Sequence, residues 1–491
     1  MSSNGIIRWL RTLQQRQRPT QKPTLAPPGP RFALPEADLP DFVRHCPVTM
    51  HYYHWLRQID WSCFPERRFD RTYPQIPVSH ATFAAAAFVK VEKQLSYMSD
   101  LRDYLVEHPA LVWLLGFNLH FSMTPYWGFD ADSSLPTARH FTQMLRKIPN
   151  ERFQFLLDET VRLLQAELSD HAPDFGQQIS LDTKHILAWV KENNHNTRVS
   201  DRYDKAKQPR GDPDCKLGFK ATQNQSNTNH NEESEPPTPT SNPKPASKQD
   251  VGRYLWGYAS GVVATKVPGW GEFTLAEFTQ PFNCADVSYF EPLMQATERR
   301  LGFRPRFGAF DSAFDAFYIY EHFHREGENW ENAFAAVPFS ARNQRHKTFD
   351  EHGNPHCEAG LAMTLKYTFI SRSTRREHER GHYICPLIGQ DDCPIQHKKW
   401  DKGGCTHRIP TSIGARVRHQ IDRDSELYHA IYDQRTATER INSQAKALGI
   451  ETPRLRNRQS ITNQNTLIYV VLNLRALRRV QDCKAQRKTT A

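Results

Sequence analysis

Between Phe175 and Phe339 the chain alternates strand-like and helix-like stretches in an order that constrains the fold more than any other feature. Phe175-Gly-Gln-Gln-Ile-Ser-Leu-Asp-Thr-Lys reads as a short β-type run that ends on Asp182. Strand patterns resume at Arg253 to Thr265 and at Glu272 to Phe282, with Pro268-Gly269 as the hairpin turn between them. Asp286 then has the form of a cap for a helix running to about Leu301. Arg304 to Phe310 reads as a further strand that delivers Asp311 at its end. The helix Phe314 to His324 and the strand Ala333 to Phe339 follow. The expectation is an α/β domain with a mixed sheet and two strand-end aspartates.

A second informative stretch is Tyr432 to Lys446. As one continuous helix at 100° per residue, it puts Tyr432, Arg435, Glu439 and Lys446 within an arc of roughly 60°, with Ala437, Ile441, Ala445 and Leu448 on the opposite side. One face packs and the other presents a carboxylate among cations, with Asn442 nearby. Such a group suits a metal ligand working beside a phosphate backbone. The same pattern also describes an ordinary solvated face with ion pairs at helical spacing.

The spacing Tyr-x2-Arg-x3-Glu-x6-Lys from Tyr432 resembles the Y-R-E-K signature of DDE transposases of bacterial insertion sequences. The resemblance implies an RNase H-like catalytic domain over 175–345 and 425–482, with Asp182, Asp311 and Glu439 as the catalytic, metal-holding triad. These residues lie 129 and 128 positions apart, so only a fold can assemble them. Two Mg²⁺ ions, replaceable by Mn²⁺, are the implied cofactors, because in-line phosphoryl transfer needs hard anionic oxygen ligands. Tyr432, Arg435, Lys446 and Asn442 become the expected DNA contacts. Asp315 competes with Asp311; Asp311 is preferred because it directly follows the apolar strand. The implied partners are double-stranded DNA, as terminal inverted repeats and target, and a second copy of the chain in a homodimeric synaptic complex. A DNA-binding derivative without chemistry and a structure-specific nuclease are the alternatives. No Gly-rich nucleotide loop supports an oxidoreductase.

The remaining chain is read from composition. Its 491 residues allow two or three domains. Lys and Arg number 64 against 54 Asp and Glu, a net charge of +10 that favours polyanionic partners. Nine scattered Cys suggest a reducing compartment, and no signal peptide or spanning run is visible. The expected location is cytoplasmic, at the nucleoid, with no membrane association. Residues 1–40 read as a flexible basic, Pro-rich arm, 41–170 as a helical domain with possible DNA contact, 222–249 as a disordered insert, and 483–491 as a basic tail. Within an insertion at 346–424, Cys357, Cys385, Cys393 and Cys405 form a possible Zn²⁺ site, although no pair has the two-residue gap of a zinc knuckle. Lys398, Lys399, Trp400, Lys402, His407 and Arg408 in the same insertion mix basic and aromatic side chains suited to an opened DNA end.

Overall fold

The computed structural model describes residues 24–70, 77–123, 128–221, 252–340, 347–372, 376–388, 393–395, 397 and 400–490. The expectations for residues 1–23, for the insert at 222–249 and for Lys398 and Lys399 concern residues outside these ranges. The chain divides into two compact units, Met1–Leu156 and Leu157–Ala491.

The first unit is helical. Its central helix, His80–Glu92, reads His-Ala-Thr-Phe-Ala-Ala-Ala-Ala-Phe-Val-Lys-Val-Glu and is buried on every side along nearly its whole length. Small alanines permit that, because neighbouring elements can approach from all directions. The start is fixed twice: Ser79 Oγ accepts from the Thr82 amide, and the Glu66 carboxylate accepts from the amides of His80 and Ala81. Apolar residues recur at helical spacing from Phe83 as far as Met98, but the helix does not run that far. It stops at Glu92 because Gln94 takes a left-handed conformation, φ 57°, and a new helix begins at Met98. Thr137 caps the helix Ala138–Lys147 by accepting from the His140 amide.

The expected arm is shorter than 1–40. Strand β1 (Thr24–Leu25) pairs with β2 (Phe69–Asp70), Phe32 and Leu39 are buried, and the Arg31 guanidinium donates to the carbonyl of Trp113 and lies over its indole. Apolar side chains interspersed among the prolines anchor this segment.

The second unit is built on a mixed sheet. Its strands are β3 (Gln178–Leu187), β4 (Lys216–Ala221), β5 (Gly252–Val267), β6 (Gly271–Pro281), β7 (Phe307–Ala309) and β8 (Phe334–Ala336). β5 is central to the antiparallel side. One edge pairs with β3; the other pairs first with β4 and then with β6. β3, β7 and β8 run parallel in that order. The hairpin turn at Pro268-Gly269 is present, with Gly269 at φ +77°. The helix Phe290–Leu301 covers one face, and Thr436–Ala447 and Arg458–Thr490 pack on the sheet as well.

β4 was not expected, the elements from β7 to β8 are shorter than expected, and three further boundaries differ. β3 does not end on Asp182 but continues to Leu187, because the long β5 provides an antiparallel partner to that point. The signature stretch is not one helix: Glu426–Tyr432 is α-helical, Asp433–Arg435 tightens to a 3-10 turn, and Thr436–Ala447 is α-helical again. The basic tail is the last part of Arg458–Thr490, and Lys484 pairs there with Glu167 at 2.7 Å.

The insertion contains a three-stranded antiparallel sheet of β9 (Thr364–Ser371), β10 (His378–Ile384) and β11 (Thr406–Pro410), with a small core of Met363, Tyr383 and Ile409. The helix Ile413–Gln420 packs instead on Phe317–Phe323. A Cβ at Gly414 would lie 2.1 Å from the Phe317 carbonyl oxygen, so glycine permits that approach. The segment from Ile413 onward therefore packs against the main body of the unit.

Candidate active site

The parallel register assembles the two aspartates. Ser180 on β3 is level with Ala309 on β7. Two residues further, Asp182 and Asp311 stand side by side on one face, with neighbouring strands about 4.8 Å apart. β7 ends at Ala309, and Asp311 caps the 3-10 turn Ser312–Phe314, accepting from the Ala313 amide at 2.9 Å. The cluster lies where pairing between these parallel strands stops.

The signature segment crosses the pair. Asn442 is buried and donates from Nδ2 to Asp182 at 3.0 Å, while its Oδ1 is buried without a hydrogen-bond partner. Arg435 pairs with Glu439 one turn on and acts electrostatically on Asp182 and Asp311. One guanidinium thus serves three carboxylates. Burial works against the charge of Arg435, but Tyr432, Asp182 and Glu439 hold it above its ordinary value. Burial pushes the Asp182 carboxyl up to about 6; Arg435 opposes that rise and Asp311 adds to it. Burial raises Asp311 too.

A fourth carboxylate was missed. Asp286 does not cap its helix. Ala285 is the cap position, and Asp286 accepts from Thr183 Oγ1 at 2.9 Å. Gly261 makes this possible, since a Cβ there would lie 2.5 Å from the Tyr289 ring. Tyr289 seats on it and donates to the Ala259 carbonyl, which pins the turn against β5, next to β3. Burial raises Asp286, and Asp311 adds to the effect. In the sequence, Asp286 has the local pattern of a helix cap, so only the tertiary approach distinguishes it.

Asp315 belongs to another arrangement. Its side chain is fully buried and receives two bonds from Arg418, at 2.6 and 2.5 Å, with others from Tyr320 and the Ser340 amide. Burial alone would raise this carboxyl, but Arg418 and the other donors hold it below its ordinary value. It anchors the Ile413–Gln420 helix.

Of the other expected residues, Tyr432 is partly buried, stacks on Tyr428 and is close enough to Asp311 for its phenol to be affected. Glu439 is exposed and tied to Arg435. Lys446 pairs with Glu451 at 3.5 Å, beside the shorter Lys184–Glu451 pair at 2.6 Å. Among the described residues, no group of three or more His, Cys, Asp or Glu side chains is arranged to hold a metal ion.

In the insertion, Ile384 pairs with Thr406, which brings the next residues outward, Cys385 and Cys405, opposite one another. Cys357 and Cys405 both pack against the Met363, Tyr383 and Ile409 core. Burial, followed by Cys385 and Cys357, pushes the Cys405 thiol up to about 12. Cys393 is not among the groups acting on it. His397, instead, approaches Glu358 at 4.0 Å, beside Cys357.

No protein-family model matches the chain, and no curated protein matches it. Among the described residues, no helix is long and apolar enough to cross a membrane.

Proposed function

We propose that the second unit is an RNase H-like phosphoryl-transfer domain and that the protein is a DDE-type transposase, which binds transposon-end DNA, cuts it and joins it to a target. The observation carrying this reading is the register that places Asp182 beside Asp311, beneath a segment contributing Arg435, Glu439 and Asn442. The strand order also supports it: β6, β5 and β3 are antiparallel neighbours, and β7 and β8 continue parallel to β3.

Mg²⁺ suits the donors by kind. Asp182, Asp311, Asp286 and Glu439 offer hard oxygens, and Asn442 Oδ1 is a buried acceptor without a donor. Bound there, the ions would neutralise developing phosphate charge and activate the attacking oxygen. The chain's own groups do the rest. Arg435 is held inside the carboxylate cluster and is placed to neutralise an incoming phosphodiester. That exchange would release Glu439 toward the two aspartates. Asn442 fixes the orientation of Asp182, and Tyr432 walls the cluster on the Asp311 side.

With purified full-length protein and DNA carrying the element's ends, nicking and strand joining should require Mg²⁺ or Mn²⁺ and stop in EDTA. Glu439→Gln should abolish cleavage and retain DNA binding, because it removes a charge while preserving shape. Nicking by that variant at the parental rate would overturn the triad. The exposure of Glu439 and its pairing with Arg435 favour one second reading, a DNA-binding derivative without chemistry; parental binding without metal-dependent nicking would select it.

We also infer a structural Zn²⁺ in the insertion, held by Cys357, Cys385 and Cys405 with Cys393 or His397 as the fourth donor. Metal analysis should find about one zinc per chain, and chelation should unfold the β9–β11 sheet. Zinc-free protein with that sheet intact would retire the site.

A further inference from the structure

β3 continues past the candidate site into an open cleft of about 410 Å³, walled by residues 187–197 on one side and 452–456 on the other. Both walls continue elements already described. β3 carries Asp182 and Lys184 and ends at Leu187, whose amide donates to the Glu451 carbonyl at 2.8 Å, just beyond the Thr436–Ala447 helix.

The cleft has one sign of charge. Lys191, Arg454 and Arg456 line it; among the described residues no carboxylate does, since Glu192 of the first wall is not among the lining residues and has its Oε2 buried. Glu451, immediately before the second wall, is engaged by Lys184 and Lys446; burial would raise its carboxyl, but those lysines hold it below its ordinary value. Arg454 and Arg456 both lie over the Trp189 indole, at 5.8 and 4.7 Å from the ring centre. Neither makes a hydrogen bond or ion pair with any described residue. An anion entering the cleft would therefore meet two guanidinium groups held at the Trp189 ring with no carboxylate partner. Planar guanidinium forks match phosphate oxygens.

We propose that this cleft binds a backbone phosphate of the DNA on which the carboxylate cluster acts; the inference rests on the function proposed above. The spacing is suitable. From Asp182 to Ala188, the lining residue next to Trp189, the chain advances roughly 20 Å at about 3.3 Å per residue. At 3.4 Å per nucleotide along one strand, that is about six nucleotides from the reacting phosphate. Lys184 and Lys446 lie along the path. The cleft would hold the duplex in register while the cluster engages the scissile bond.

The test uses the full chain, the variant Arg454→Ala/Arg456→Ala, and the control Arg479→Ala, which removes an exposed arginine far along the Arg458–Thr490 helix and should leave the salt slope at the cleft unchanged, with thermal melting as the fold control. Binding of a 30-base-pair duplex is measured across a salt series, and Mg²⁺-dependent nicking is measured in parallel. The double variant should bind several-fold more weakly at 100 mM salt, and its log–log salt slope should fall in magnitude by about 0.9 for one lost phosphate contact. Ethylation interference should show a required phosphate about six nucleotides from the nick that becomes dispensable in the double variant. An unchanged slope and interference pattern, in a parent protein that binds and nicks DNA, would overturn the cleft proposal alone. Absence of DNA binding by the parent would instead remove the functional reading beneath it. Inorganic phosphate should compete with DNA for the parent more strongly than for the double variant. Arginine-dependent phosphate binding without any effect on DNA would mark a free-anion site and also overturn the proposal.

Discussion

Lys90 shows how one side chain can set the pH response of a whole helical unit. It lies buried in the alanine-rich His80–Glu92 helix, and burial lowers its ammonium to about 8, only partly opposed by Asp100. Between about pH 8 and the ordinary 10.5, the unfolded chain holds a proton that the folded chain lacks, so stability rises with pH across that window. Below pH 8 the folded state carries the full cost of a buried ammonium. Lys90→Met should therefore stabilise the protein at pH 7 by up to about 3 kcal/mol, with the gain shrinking toward zero near pH 10.5. Urea titrations at pH 7, 9 and 10.5 would test this; a pH-independent gain would mean that packing, not charge, explains it. The candidate site has its own division at this scale. Asp182 and Asp311 were legible because apolar strands led up to them. Asp286 was not, because its role depends on Tyr289 seating on Gly261 more than twenty residues away.

At the scale of elements, the least legible feature was the contribution of the Arg458–Thr490 helix. At β6 the register slips, so Val263 faces Ala276 while Ala264 faces Thr274, leaving Leu275 as the extra residue of a bulge. Asn473 repairs the ladder. Its Oδ1 accepts from the Thr274 amide at 2.9 Å, and its Nδ2 donates to the Thr274 carbonyl at 2.8 Å and to Thr160 Oγ1 at 3.0 Å. Next to it, the wholly buried Glu277 accepts from Ser260, Thr279 and Thr466, so polar side chains on the helix match the sheet's needs. A helix carrying Asn463, Asn465, Thr466 and Asn473 among its buried positions does not display a clean apolar stripe. Asn473→Ala would strand two buried backbone groups and should cost about 3 kcal/mol, with the loss concentrated in slower-protected amides of β6. Hydrogen exchange of β5 and β6 unchanged from the parent would refute that account. The succession of elements along the chain from β5 to β8, by contrast, could be anticipated, because each run was bounded by Gly, Pro or Asp; the strand β4 and the order of strands across the sheet could not.

For the molecule as a whole, the junction between β4 and β5 is simple. Ala221, the last residue of β4, pairs directly with Gly252, the first of β5. The two ends of the intervening sequence are thus one strand spacing apart, about 5 Å, whatever lies between them. Replacing residues 222–251 with Asn-Gly should close a tight hairpin and raise stability by about 2 kcal/mol, since loop-closure entropy grows only with the logarithm of length. A melting temperature below that of the parent would show that the removed residues support the fold. The same pairing has a consequence for descent. A doorway whose posts are bonded to each other charges little for what passes through it: doubling the inserted length costs only about 0.6 kcal/mol. Relatives of this chain can therefore differ here by tens of residues, or carry a whole additional module, while keeping β4 and β5 in register; length variation should concentrate at this point rather than at the short turn between β5 and β6.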